Sequence, residues 1–335
     1  MQQVRIATLP GLLGLSYQFG GGILINLCLA VFAAISAEAL ILKIRQRPIG
    51  LYLRDYSAVV TGVLLGLSLP PLVPWWLVVV ATVFSIVIAK QLYGGLGSNP
   101  FNPAMVGYVV VLISFPIEMT TWVTPVSLLP EGISHPGLFE SLTIVFAGFS
   151  PLDGVTGATP LDLFKHSDGL LVDQIYQSNT LFSSASFAGV GWEWVNVAFL
   201  LGGLGLLKAR IFTWHGPVAM LVTLATMSML FWDGGSSNSP GSPLMHLFSG
   251  AAMFGAFFIV TDPVSSAVSN RGRLFYGALI GLLVYVIRAW GSYPDAVAFA
   301  VLLGNFAAPF IDNYTVPRTY GHNQRRKATA KEEDE

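Results

Sequence analysis

Ten apolar segments dominate the chain, near residues 4–19, 21–43, 56–69, 75–90, 104–116, 192–207, 214–232, 244–260, 274–290 and 295–312. They are hydrophobic all round, which excludes surface amphipathic helices. They lack the period-two alternation of transmembrane strands. A bilayer span takes about 20 apolar residues, so 4–19, 56–69 and 104–116 are short. Their glycine and proline neighbours predict broken or half-buried helices. Charged residues make up only 10% of the 335 and hydrophobic ones 53%, whereas a soluble domain carries about a quarter charged residues. So few charges cannot solvate a soluble surface, and the chain reads as a polytopic membrane protein.

Positive charge orients the bundle. With the N-terminus inside, the inner segments hold Arg5, Lys43, Arg45, Arg47, Arg54, Lys90, Lys208, Arg210, Arg271 and Arg273, and the tail adds Arg318, Arg325, Arg326, Lys327 and Lys331. Only Lys165 and Arg288 of the 17 basic residues fall elsewhere. The expected fold is all-α, with about ten transmembrane helices in two inverted five-helix halves, 1–116 and 192–313. A large outer loop, 117–191, joins the halves, and a charged cytoplasmic tail, 314–335, follows. An odd number of spans per half gives the halves opposite orientations, as in inverted-repeat transporters; the repeat rests on topology, not on identity between the halves.

Several chemistries have little support. The single cysteine, Cys28, excludes a disulfide framework and a four-cysteine metal or iron–sulfur site within this chain. No secretory signal-peptide pattern opens the sequence. The one basic cluster, Arg325 to Lys327 in the tail, gives no case for nucleic acid. His215 and His246 fall at opposite membrane edges, so they cannot share a haem iron. Gly202-Gly203-Leu204-Gly205 lies inside a span with no strand before it, so a dinucleotide fold is absent and NADH is a matter for another chain.

In the outer loop stands Asp153-Gly154-Val155-Thr156-Gly157-Ala158-Thr159. It reads as a turn, or as a segment that resembles the flavinylation motif of proteins carrying FMN esterified to threonine. Small neighbours, Gly157 and Ala158, let a transferase approach the backbone closely. The resemblance places the acceptor at Thr159 and leaves Asp153, Gly154, Thr156, Gly157 and Ala158 for recognition. Further segments extend it along nearly the whole chain: Arg54 to Thr61, Leu92-Tyr93-Gly94-Gly95-Leu96-Gly97-Ser98-Asn99-Pro100-Phe101-Asn102-Pro103-Ala104-Met105, Gly191 to Asn196, Thr261-Asp262-Pro263-Val264-Ser265, Arg271 to Leu274, and Pro317 to His322. Together they resemble the D subunit of the Rnf electron-transport complex, and more distantly the B subunit of the sodium-translocating NADH:quinone oxidoreductase. Members of that family begin some twenty residues earlier with a fuller first helix, whereas here the first span follows Met1 directly.

The resemblance implies a membrane-embedded subunit of a ferredoxin:NAD+ oxidoreductase that moves Na+ or H+, inactive alone and relaying electrons through flavins. It implies covalent FMN on Thr159, added by a separate flavin transferase. It also implies a second, noncovalent flavin such as riboflavin, which would lie near Asn99, Phe101 and Asn102. Partners would be the A, B, C, E and G subunits in the bacterial inner membrane, with both termini cytoplasmic and the FMN loop periplasmic. For the asparagines the alternative is helix capping. Glu38 is a cation site, or snorkels to the inner surface, or pairs with Lys43. Arg288 contacts flavin phosphate or anchors at headgroups. Asp262 caps a helix end or lines an ion path. No metal site is expected. The competing function is an inverted-repeat solute transporter or channel with no redox role.

Overall fold

The computed structural model describes residues 1–148, 154–167, 170–236 and 240–315; Asp153, Pro317 to His322 and the rest of the tail lie outside them. In the first half the principal helices are α1 (Gln2–Ala7), α2 (Leu9–Phe19), α3 (Gly22–Ile44), α4 (Ser57–Ser68), α5 (Trp75–Val83) and α6 (Pro103–Ser114). The expected outer segment, 117–191, holds α7 (Leu138–Ala147) and α8 (Pro160–Lys165). The second half holds α9 (Trp192–Lys208), α10 (His215–Leu230), α11 (Pro243–Phe248), α12 (Ala252–Phe254), α13 (Asn270–Trp290) and α14 (Val297–Thr315). Among the described residues, three helices, α3, α13 and α14, are long and apolar enough to cross a membrane; the other apolar helices are shorter.

Two features depart from regular helices. α5 runs on as a π-helix over Phe84–Gln91, and α12 as another over Gly255–Ile259. The apolar run 244–260 is not one helix: it breaks at Ser249 to Ala251 between α11 and α12. The outer segment also amends the all-helical expectation, because β1 (Trp122–Val123) pairs antiparallel with β2 (Thr156–Gly157). That pairing ties the Thr156 backbone to the chain leaving α6.

Apolar transfer gives little drive for helix association in lipid, so close backbone approach matters. Gly277 and Gly281 of α13, one turn apart, face the carbonyls of Gly216 and Met220 on α10; a Cβ at either position would sit 2.3 Å from an oxygen. Gly62 and Gly66 of α4 meet the α3 backbone in the same way, around Ala30 and Leu27.

Contacts sort the loops into two ends. At one end, His135 abuts Gly20, Trp75 stacks on Phe146, the Val172 N–H donates to the Gly235 carbonyl, and Lys165 reaches the Tyr293 carbonyl. At the other, Arg45 donates to the Gln91 carbonyl, Arg47 to the Gly94 carbonyl and Arg273 to Thr213, while Arg5 lies over the Tyr56 ring. Lys90, grouped with these basic residues by sequence, is instead fully buried.

Candidate functional site

Thr159 is the N-cap of α8, and its Oγ1 accepts a hydrogen bond from the Asp162 N–H at 3.2 Å. Pro160 follows at the first helical position, where its missing N–H costs nothing. Thr159 lines a narrow cleft that runs from the outer segment into the bundle, walled by Trp122, Trp192, Tyr108, Phe199 and Tyr293. Trp122 and Trp192 meet edge to face at 4.8 Å, with Phe19 against both. Thr156 sits in β2, and Gly157 backs onto Thr124 so closely that a Cβ would come within 2.9 Å of its hydroxyl. Ala158 is exposed and Gly154 adopts φ +92°. Asp153 lies outside the described residues.

α8 is latched to the bundle by Lys165, whose Nζ donates to the carbonyls of Ile287, Arg288 and Tyr293 at 3.2–3.4 Å. These acceptors sit at and beyond the C-terminus of α13, where the last carbonyls run short of helical partners; the Ile287 carbonyl also accepts from the Gly291 N–H. Burial lowers the Lys165 pKa. Beneath it, Arg288 donates to the His246 and Ser249 carbonyls and pairs with Asp295 at 3.1 Å. Asp295 also accepts from the Ala251 N–H. Arg288 is therefore no headgroup anchor: its side chain is buried and braces the break between α11 and α12. Its two terminal guanidinium nitrogens are engaged by these protein acceptors, while its Nε is buried with no partner among the described residues.

A second cavity, of about 720 Å³, opens at the basic end. Asn99, Asn102, Asp262, Tyr276, Lys90 and Ser57 lie on its wall. Asn102 does cap α6, its side chain accepting from the Met105 N–H. Asn99 donates to the Phe101 carbonyl, and its Oδ1 is buried with no partner among the described residues. Phe101 is not part of this wall; it packs against Phe306 at 4.7 Å. Asp262 accepts from Ser265 at 2.6 Å, so the carboxylate orders its own turn while lining the cavity. His215 lies on this wall, and His246 is buried at the far end, 2.9 Å from the Pro240 carbonyl.

Glu38 pairs with neither Lys43 nor the surface. Its Oε1 takes the Lys90 ammonium at 2.6 Å and the Gln91 amide at 2.7 Å, with Glu38 2% and Lys90 1% exposed. The π-helical stretch from Phe84 delivers both Lys90 and Gln91 to that carboxylate. Four other groups are not evident from sequence reasoning. Lys90 itself reads there as a loop cation. Asn305 accepts from the Asn102 N–H and donates to the Ser265 carbonyl and the Tyr276 hydroxyl. Asn196 donates to the Phe248 and Gly250 carbonyls and accepts from the Met253 N–H, splinting the break. Glu193 accepts three backbone N–H groups from 186–188. A polar residue within an apolar run is the available signal for Asn305 and Asn196.

Residues 1–321 match the model of the NQR2, RnfD, RnfE family. The chain is 58% identical over 330 residues to a protein of Cellvibrio japonicus, covering 98% of this chain and 92% of the relative. It is 55% identical over 327 residues to one of Pseudomonas aeruginosa, with coverage of 98% and 92%. The identity to one of Aliivibrio salmonicida is 54% over 337 residues, with coverage of 97% and 94%. All three relatives are named as the D subunit of an ion-translocating oxidoreductase complex.

Proposed function

Because the chain belongs to the NQR2, RnfD, RnfE family, we propose that it is the membrane-embedded flavoprotein subunit of an Rnf-type ferredoxin:NAD+ oxidoreductase, relaying electrons in a complex that moves Na+ or H+. Its partners are the A, B, C, E and G subunits and, during maturation, a flavin transferase. The topology that goes with this reading is two inverted five-helix halves in the inner membrane, both termini cytoplasmic and the Thr159 loop periplasmic.

The observation that carries the reading is Thr159 at the mouth of an aromatic cleft. A flavin esterified there through its phosphate keeps its redox ring free, and that ring accepts one or two electrons. The residues fit such a group. The Thr159 oxygen accepts rather than donates its local hydrogen bond, so esterification leaves the α8 cap in place. Trp122, Trp192 and Tyr293 offer planar apolar faces. In the inner cavity, the unpartnered Asn99 Oδ1 suits an uncharged ring bearing N–H donors, and Asn99 and Asn102 would hold a noncovalent riboflavin there. The competing reading, a solute transporter, draws on two cavities at opposite ends of one bundle.

The test is in-gel fluorescence under ultraviolet light, with peptide mass spectrometry to locate the adduct. Thr159→Ala should abolish covalent flavin while the bundle still assembles; Thr156→Ala should reduce it at most. A fluorescent Thr159→Ala band, or an adduct on Thr156, would overturn the assignment. Asn99→Leu with Asn102→Leu should lower extractable flavin and leave the covalent flavin intact.

A further inference from the structure

We infer that Asp55, Ser57, Lys90 and Glu38 form a proton-supply line that serves a reducible ring in the inner cavity, with Lys90 the donor at the cavity wall. The inference rests on the reading of that cavity as a noncovalent flavin site.

The line is continuous in hydrogen bonds. Ser57 Oγ donates to Asp55 Oδ1 at 2.6 Å, Lys90 Nζ donates to Ser57 Oγ at 2.6 Å, and the same Nζ donates to Glu38 Oε1 at 2.6 Å. Asp55 is partly exposed at the basic end, and Ser57 and Lys90 line the cavity. An ammonium has three N–H bonds. Two are engaged here, which leaves one on a cavity-wall residue with no partner among the described residues. Glu38 is the positioning residue: Gln91 also donates to it, and Arg45 in turn donates to Gln91, so the carboxylate that orients the ammonium is itself held. Holding an ion pair this deep carries a desolvation cost that an apolar pair of the same volume avoids. A packing role does not require it.

Were a flavin held there and given an electron by an upstream one-electron carrier, Lys90 would supply the proton that leaves the ring without added charge, its own N–H bond breaking as the ring's N–H bond forms. The amine regains a proton from Ser57 as that hydroxyl turns, and Ser57 is refilled from water through the Asp55 carboxyl group. The other titratable groups on the cavity are the side chains of Arg210, His215, Asp262, Arg273 and Tyr276 and the amino group of Met1. Asp262 is held by Ser265, Arg273 by Thr213 and the Ala267 carbonyl, and Tyr276 by Asn305. His215, whose Nδ1 is unpartnered among the described residues, is the competing donor.

The experiment uses the whole purified complex. Acid extraction measures the noncovalent flavin, and stopped-flow reduction in H2O and D2O measures its proton-linked phase. Ser57→Ala keeps the ion pair, so it should hold the wild-type flavin content yet slow that phase by at least about tenfold and enlarge its isotope effect. Lys90→Met should slow it too and regain rate with added ethylamine. Full flavin with wild-type kinetics in Ser57→Ala overturns the proton line alone, as does slowing confined to His215→Gln. A wild-type complex without extractable flavin overturns both the cavity reading and the line.

Discussion

The side chain of Asn305 accepts from the backbone N–H of Asn102 at 3.0 Å across 203 positions of sequence. One amide thus joins the first turn of α6 to the middle of α14, and through its donors to Ser265 and Tyr276. Asn305→Leu strands three buried groups and should cost about 1–3 kcal/mol for each that finds no water. A drop in the unfolding temperature of the detergent-solubilised chain would show this, and an unchanged midpoint would contradict it.

Removing one member of the Glu38–Lys90 pair leaves a buried charge unmatched. Lys90→Met alone should destabilise by about 3–5 kcal/mol, whereas adding Glu38→Gln should recover much of the loss. Monodispersity after a heat step, compared across the single and double variants, reads this directly. Equal losses in both would show that the charges are not coupled.

Gly250 sits at the helix break with φ +59°, and a Cβ there would lie 2.7 Å from Leu161 and 2.9 Å from Asp295. Gly250→Val combines backbone strain with a clash against the segment that carries Thr159. It should weaken docking of α8 while sparing the cap at Thr159. Faster protease cleavage within the outer segment is the expected result.

Lys165→Met removes three charge-assisted donors from the C-terminus of α13 and should also loosen the outer segment, by about 1–3 kcal/mol. The pH dependence has a defined sign. Burial holds the Lys165 pKa below its ordinary value, so the unfolded chain binds more protons in the window between the two. The Lys165 contribution to stability should therefore rise with pH across that alkaline window. A stability profile for Lys165→Met lacking this increment is the check.

Ser134 is exposed in the outer segment, at the end of the bundle opposite the basic loops. A periplasm-active reporter fused there should be active and one fused at the C-terminus silent, as the basic short loops require. The reverse pattern would invert the topology.

Much of the helical layout was legible because hydrophobic runs and their glycine and proline edges mark helix limits directly. The break at Ser249 to Ala251 was less so, since 244–260 reads as one apolar run; only the Asn196 and Asp295 contacts reveal why the helix stops there. Thr159 was legible as a motif, and the structure adds that it caps a helix beside a cleft. The partner of Glu38 was not legible, because spacing along α3 points to Lys43 while the true partner lies 52 positions away. Phe101 is set apart from its neighbours, which line the cavity while its own ring packs against Phe306.

The π-helical stretch Phe84–Gln91 makes the ion pair depend on backbone form as much as on residue type. A π segment holds one residue more per turn than its neighbours, like a single-residue insertion absorbed without a loop. Forcing the ladder to α-helical spacing with every residue kept would swing Lys90 about 100° around the axis. Every side chain would remain present in the sequence, yet Glu38 would face the wrong side of the helix. A change of backbone form at this one turn is thus as damaging as loss of the lysine itself.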